Sequence, residues 1–247
     1  MPDFSGYDIG GRTIRLTELV AGSVRMDWGD GSPPETFAPA AMFDPIGFGH
    51  AYAADGAYTL RARIAGIDGG IARERMDVVL ALGTATPLLV DGGGFDDLIA
   101  GGLAADTLLG GAGADLLSGH AGNDILRGGA GPDTLIGGQG SDTLIGSADL
   151  WTDVFVLDAP GEGVDRIRGF ETAMDVIHLA SVAPGTPFVA DANTVPAGPG
   201  PWVLYDTDTG VLSFDHDGAG GDAPMVLAVL AGAPGLSMAN LAFGPFG

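Results

Sequence analysis

Hydrophobic and polar positions alternate over short runs along this chain, and one stretch repeats them at a fixed period. From Gly92 to Ile145, six nonapeptides follow one another without a gap in the pattern G-G-x-G-x-D-x-U-x, where U is aliphatic. Alternation over the last three positions turns U inward and its two neighbours outward. The pattern therefore predicts six short strands that share one core, with inward residues Ile99, Leu108, Leu117, Leu126, Leu135 and Leu144.

The polar half of each repeat is equally regular. The sixth position is always aspartate: Asp97, Asp106, Asp115, Asp124, Asp133 and Asp142. Glycine at the first and fourth positions allows backbone angles closed to other residues and brings carbonyl oxygens close together. In the last four repeats these are Gly110, Gly113, Gly119, Gly122, Gly128, Gly131, Gly137 and Gly140. In one isolated repeat an aspartate of this kind would merely close an Asx turn, but six in tandem stack carboxylates that repel one another without a cation.

This pattern resembles the RTX family of calcium-binding repeats. The resemblance implies a parallel β-roll in which two nonapeptides form one coil, with Ca²⁺ held between stacked turns by aspartates and turn carbonyls. The implied pairs are Asp97 with Asp115, Asp106 with Asp124, Asp115 with Asp133, and Asp124 with Asp142, which gives about four sites. Phe95, Ala104 and His120 stand where the pattern has glycine, which weakens the sites that use Asp97 and Asp106.

A different resemblance covers the residues before the repeats. Trp-Gly-Asp-Gly at residues 28–31, followed by His50-Ala51-Tyr52 and then Tyr58, is similar to the PKD domain, which is an immunoglobulin-like β-sandwich. Alternation at residues 13–17 and 58–62 independently predicts strands. Trp28, Tyr52 and Tyr58 either fill the core of this fold or form a sugar-binding platform.

The residues after the repeats resemble the region that caps RTX rolls in proteins exported by type I secretion. Residues 202–215 read as a hairpin with its turn near Thr209-Gly210. Asp215 and Asp217 either ligate Ca²⁺ or stabilise the turn that follows. We thus expect an all-β chain with three parts: a PKD-like sandwich at 1–86, a β-roll at 87–149, and a β-rich cap with secretion region at 150–247.

Charge and composition exclude several functions. The net charge is -22, from 32 acidic and ten basic residues, and no lysine occurs, which excludes a nucleic-acid-binding surface. Residues 88–150 carry nine acids and one arginine, so about four Ca²⁺ would cancel their charge. Cysteine is absent, which excludes disulfides and thiol catalysis. The longest apolar stretch, residues 78–90, is too short to span a bilayer.

The motifs favour a binding or structural protein over an enzyme. The chain contains no H-E-x-x-H, G-x-S-x-G or phosphate-binding G-x-x-x-x-G-K-[ST] motif. Its first residues lack the basic and apolar segments of a signal peptide, so we expect export by bacterial type I secretion machinery to the cell surface or the extracellular space.

Three roles remain open at this point: a structural protein of a surface, filament, layer or matrix; an adhesin for a surface glycan or cell; and a targeting module of an exoenzyme. Apolar residues at the outward seventh and ninth positions favour binding to copies of the same chain. They are Leu98, Leu109, Leu116, Ile125, Ile136 and Ile145.

Overall fold

A computed structural model describes residues 13–19, 23–29, 31–37, 46–51, 56–65, 71–82, 85–158, 163–192, 196 and 198–245. Within these ranges the structure is all-β, apart from one short 3₁₀ helix, η1, at Met238–Asn240. No helix among the described residues is long and apolar enough to cross a membrane.

The chain before the repeats forms antiparallel strands. They are β1 (Thr13–Leu19), β2 (Ser23–Asp27), β3 (Glu35–Phe37), β4 (Ile46–Ala51), β5 (Gly56–Ala65) and β6 (Ile71–Leu82). Strands β1 and β4 pair as a two-stranded sheet, while β3, β2, β5 and β6 follow one another in a second antiparallel arrangement. Predicted residues Asp30 and Tyr52 lie outside the described residues.

The repeats form short strands at regular intervals. These are β7 (Leu89–Gly93), β8 (Leu98–Ala100), β9 (Thr107–Ala112), β10 (Leu116–Ser118), β11 (Ile125–Ala130), β12 (Thr134–Ile136) and β13 (Thr143–Ile145). The chain continues with β14 (Val154–Leu157), β15 (Asp165–Arg168), β16 (Val176–Leu179), β17 (Phe188–Asp191), β18 (Trp202–Asp206), β19 (Val211–Asp215), β20 (Met225–Leu230) and β21 (Leu241–Phe243).

Successive strands alternate between two parallel sheets, as a β-roll requires. The first sheet contains β8, β10, β12, β14, β16 and β21 in that order, and β6 extends it on the β8 side. The second sheet contains β7, β9, β11, β13, β15 and β20, and continues through β19 and β18 to β17. The predicted parallel β-roll is therefore confirmed, and its parallel pairing extends beyond the last nonapeptide to β20 and β21.

One aliphatic residue from each repeat builds the core of the roll. Leu117 pairs in register with Leu135, and Leu126 with Leu144, so equivalent side chains stack from coil to coil. All six eighth-position residues are 0% exposed. Phe155, Ile167 and Ile177 continue the same stack in β14, β15 and β16, and are also fully buried.

The outward positions are less uniform than the sequence predicts. Ile125 is 44% exposed, whereas Leu98 is only 3% exposed. Leu109, Leu116, Ile136 and Ile145 are intermediate. The first sheet therefore offers less free apolar surface near β8 than a simple in-out alternation implies.

The C-terminal strands complete the second sheet. Strands β18 and β19 form the predicted antiparallel hairpin, and the backbone N–H of Gly210 donates to the carbonyl of Asp206 at 2.8 Å to close its turn. Strand β20 then pairs antiparallel with β19 on one side and parallel with β15 on the other. The hairpin is thereby joined to the roll by a continuous sheet.

Two neighbouring residues allow a matched test of the core. Leu126→Ala should destabilise the calcium-loaded protein by about 2–5 kcal/mol, because it leaves a cavity inside the stacked core. Ile125→Ala, one residue earlier and 44% exposed, should cost about 1 kcal/mol or less. Urea unfolding in saturating calcium measures both, and equal losses would contradict the assignment of the inward face.

Candidate metal centre

Two columns of aspartates run along the roll, each at the end of the turns that precede one sheet. The first column leads into the first sheet and consists of Asp97, Asp115, Asp133, Asp153 and Asp175. The second leads into the second sheet and consists of Asp106, Asp124, Asp142 and Asp165. All nine are at most 8% exposed, which is unusual for a carboxylate.

One oxygen of each carboxylate holds the coils together. The backbone N–H of each aspartate donates to Oδ1 of the next aspartate in its column. In the first column these N···Oδ1 distances are 2.8, 2.9, 3.0 and 3.0 Å, from the Asp97–Asp115 pair to the Asp153–Asp175 pair. In the second they are 2.7, 2.7 and 3.0 Å, from Asp106–Asp124 to Asp142–Asp165. Each carboxylate thus bridges two adjacent coils.

In four central members of the columns, the other oxygen lacks a donor, whereas Oδ2 of Asp106, Asp153 and Asp175 accepts a backbone N–H from its own turn. In Asp115, Asp124, Asp133 and Asp142, Oδ2 is inaccessible to solvent and has no hydrogen-bond partner. A buried carboxylate oxygen without a donor is costly, because the group has lost its water and gained nothing in exchange. These four atoms mark the places where a bound cation would compensate the ionised carboxylate.

The first-position glycine lies directly against this oxygen. A Cβ added to Gly119 would clash with Oδ2 of Asp124 and would lie 2.6 Å from the carbonyl oxygen of Gly137. The carboxylate oxygen and the carbonyl of the next coil therefore face the same point. Glycine is required here because any side chain would occupy the space between the oxygens.

The fourth-position glycine shapes the turn instead. Gly113, Gly122, Gly131 and Gly140 have φ of +141°, +133°, +119° and +139°, in the region that favours glycine. His120, which replaces a second-position glycine, has φ of +70° and is a non-glycine residue in the left-handed region. The repeat that contains His120 thus carries backbone strain that its neighbours avoid.

Burial of the columns shifts the acidity of their carboxyl groups. Desolvation, with a smaller contribution from neighbouring carboxylates, raises the pKa of Asp133 to about 8 and that of Asp124 to about 7. Burial also raises the pKa of Asp115 and of Asp153 to about 6. The pKa values of Asp142 and Asp175 are raised for the same reason. Without a metal, Asp133 and Asp124 therefore resist ionisation at neutral pH.

The protein provides no internal cation for these groups among its described residues. The arginines of the roll, Arg127, Arg166 and Arg168, are all exposed on its outside. The donor set around the columns is carboxylate and carbonyl oxygen, which is the set that Ca²⁺ prefers. The residues present therefore fit Ca²⁺, and soft or nitrogen-seeking metals have no suitable ligand there.

Comparison with known proteins agrees with this chemistry. Residues 91–126 and 118–149 match the RTX calcium-binding nonapeptide repeat family, in four copies. The solution structure of the AlgE6R3 subunit from the Azotobacter vinelandii mannuronan C5-epimerase is 30% identical in sequence, and the similarity covers 62% of this chain and 81% of that chain with a TM-score of 0.23. At that TM-score the two structures do not superpose as a whole. No curated protein sequence matches the chain.

Fold and site together define a calcium-binding parallel β-roll. The protein is an RTX repeat protein, and Ca²⁺ is its cofactor. The roll itself is a non-catalytic calcium-binding module.

The aspartates that the nine-residue period predicts to pair lie close together in the structure. Each of the four expected aspartate pairs is joined by a hydrogen bond between adjacent coils. The eight predicted glycines lie in the same turns, with those at the first position buried. Which of these atoms bind Ca²⁺ directly stays a prediction.

Asp215 and Asp217 lie apart from the columns, at the end of β19 and two residues beyond it. Oδ1 of Asp215 accepts hydrogen bonds from the backbone N–H groups of Asp217 and Gly218, at 3.1 and 2.8 Å. Asp217 is half-buried, and its Oδ2 accepts from the N–H of Gly221 at 3.0 Å. Both carboxylates thus stabilise the turn, and a calcium-binding role for them stays a prediction.

The nine-residue pattern does not predict three members of the columns. Asp153, Asp165 and Asp175 follow their predecessors by 20, 23 and 22 residues, rather than the 18 that separate stacked nonapeptides. Each still begins an aspartate-x-apolar triplet, ending at Phe155, Ile167 and Ile177. This triplet, without a fixed period, identifies the three aspartates in the sequence.

Acid should partly replace calcium in folding the roll. Because the folded-state pKa values of Asp133 and Asp124 lie above the ordinary value of 3.8, the stability that their protonated forms provide is complete below about pH 4. It is lost as the pH rises towards about 8. We expect chelated protein to show more β signal by far-UV circular dichroism at pH 4 than at pH 8.

A matched pair of variants distinguishes protonation of the column aspartates from a general loss of negative charge. Asp133→Asn should flatten this pH dependence, whereas Asp91→Asn, an exposed aspartate outside the columns, should leave it unchanged. An identical pH profile for the two variants would contradict the role of burial.

Proposed function

We propose that this chain is a secreted, bacterial, extracellular structural or surface protein that folds when it meets calcium outside the cell. The observation that carries the proposal is the pair of buried aspartate columns, in which a cation would compensate the unpartnered oxygens when the carboxylates are ionised. RTX repeat proteins are typically secreted and extracellular.

Calcium binding and folding are one process in this design. A site that exists only when adjacent coils are stacked is absent from the unfolded chain, so the free energy of binding becomes free energy of folding. Extracellular calcium modules work at about 0.1–1 mM, far above cytosolic calcium. The chain would therefore stay unfolded before export and fold after it.

We further propose that residues 1–86 form a PKD-like sandwich and that residues 150–247 combine a cap with the secretion region. Antiparallel pairing from β1 to β6 supports the sandwich. Trp28 is fully buried and packs edge-to-face on Phe37 with ring centroids 6.2 Å apart, which is a core role for this residue. Oδ1 of Asp27 accepts from the N–H of Gly29 at 3.1 Å, which stabilises the turn after β2.

The burial of Trp28 favours the structural role over the adhesin. A tryptophan that is 0% exposed cannot stack on a sugar, so the platform that included it loses its largest ring. The adhesin and the targeting module of an exoenzyme remain the alternatives. Tight glycan binding by a calcium-loaded monomer would favour the adhesin over the structural role.

Calcium titration tests the proposal directly. Chelated protein at pH 8 should gain β signal by circular dichroism as Ca²⁺ is added, and a signal already complete without Ca²⁺ would refute it. Asp124→Asn should raise the calcium midpoint more than Asp97→Asn does, because Asp124 bonds to a coil on each side within the regular repeats. Asp91→Asn serves as the exposed control.

Export is tested separately from folding. Deleting residues 200–247 should retain the protein inside cells that carry a type I system. Because that deletion also removes β18 to β21, a passenger protein fused to residues 200–247 is the matched control and should be exported. Secretion of the truncated chain, or retention of the fusion, would contradict the placement of the signal.

A further inference from the structure

The outer face of the second sheet carries an ordered sequence of charges. Residues 88–247 contain 21 acids and only three basic residues, Arg127, Arg166 and Arg168. All three arginines are exposed, and all lie on strands β11 and β15 of this one sheet. Their side chains share its outer face, because the residues that alternate with them, Leu126 and Ile167, are fully buried.

Strand register places two aspartates on the same face as Arg166. Arg166 pairs with Val229 of β20, and Val229 pairs with Val211 of β19. Tyr205 of β18 pairs with Leu212, so Asp206 lies beside Val211 in the same row. Asp206, Val211 and Val229 are half-buried and Arg166 is exposed, whereas the residues that alternate with the row, Tyr205, Leu212 and Ala228, are buried, so the row faces outward. Leu204 and Ser213, which pair with each other two residues away on the same face, are also buried, so the face is open from the row of Asp206 towards the turn after β18.

The row therefore reads acid, apolar, apolar, base across four adjacent strands. With strands about 4.8 Å apart, Asp206 and Arg166 lie about 14 Å from each other, with two half-buried valines between them. A second pair repeats the pattern two residues further along the chain. Arg168 follows Arg166 in β15, and the exposed Asp208 follows Asp206 in the turn after β18.

This face is complementary to itself. A two-fold axis parallel to the strands, between β19 and β20, would place β15 of one copy over β18 of the other. The strand directions permit this, because β18 runs antiparallel to β19, β19 antiparallel to β20, and β20 parallel to β15. The rotation places Arg166 of each copy opposite Asp206 of the other, and Arg168 of each copy opposite Asp208 of the other. The valines of the two copies meet at the centre of the interface.

We propose that the outer face of the second sheet, from β18 to β15, binds a second copy of this chain as a two-fold symmetric dimer. The occupant follows from charge complementarity: the face supplies both the arginines and the aspartates in matching register, as an isologous interface requires. Arginine is also enriched in protein–protein interfaces relative to the rest of the surface. This inference rests on the calcium-folded roll of the proposed function.

Hydrogen bonds fix the turn that carries the aspartates of this face. Oδ1 of Asp206 accepts from the N–H groups of Asp208 and Thr209, at 2.8 and 3.1 Å, which fixes the turn. These hydrogen bonds lower the pKa of Asp206. Asp208 donates its backbone N–H to that turn and leaves its own side chain exposed. Substitution of Asp208 therefore changes the charge of the face without removing the bonds that close the turn.

Charge exchange at one contact tests the dimer. Arg168→Asp and Asp208→Arg each turn both copies of the contact into like-charge pairs, so each variant alone should be monomeric. Mixed in equal amounts, they restore two opposite-charge pairs and should form a heterodimer. Arg127→Asp is the matched control, because β11 falls outside the overlap and the substitution makes the same charge change.

Sedimentation equilibrium in saturating calcium, over rising protein concentration and at low and high salt, measures the result. We expect a dimer of the parent chain that weakens with salt, and a heterodimer of the mixed variants by native mass spectrometry. A parent chain that stays monomeric, a particle larger than a dimer, or equal effects of Arg127→Asp and Arg168→Asp would each overturn the proposal. Circular dichroism of the same samples shows whether calcium folds the roll, so failure of the dimer is distinguished from failure of the proposed function.

Discussion

The constraint on which this structure depends is the unequal use of the two oxygens of the central column aspartates. Oδ1 joins neighbouring coils by accepting a backbone N–H, and Oδ2 of the central members is buried without a donor. The hydrogen bonds that order the coils therefore form only when a carboxyl group with one unpartnered oxygen is buried. A cation resolves that conflict, because it compensates the oxygen that the backbone cannot reach.

That dependence reaches well beyond the nonapeptides. Strand β6 pairs with β8 at one end of the roll, and β20 and β21 pair with β15 and β16 at the other. The nine-residue pattern of turn, aspartate and apolar core residue thus supports strands that carry no repeat of their own. Under the proposed calcium-coupled folding, loss of the cation from the columns would remove the surface on which the flanking strands assemble.

How much the sequence could predict depends on how local each interaction is. The stacked leucines and the paired aspartates follow from a period of nine, because each residue meets its equivalent 18 positions away. Asp153, Asp165 and Asp175 were missed because longer turns replace the short ones while the coil geometry is kept. Pairing of β16 with β21 joins residues more than 60 positions apart, and no periodicity encodes such a contact.

The uneven distribution of charge along the chain produces a distinct charged surface only in the folded state. Burial removes nine aspartates from the surface, and bound Ca²⁺ neutralises many of them, so the acids that remain exposed determine how copies of the chain meet. Three arginines would be negligible against 21 acids if both were spread evenly. Concentrated on one sheet, in register with Asp206 and Asp208, they make one face attractive to an otherwise repellent molecule. The strands of the calcium-binding roll are thus also the strands that present the face on which we propose a second copy binds.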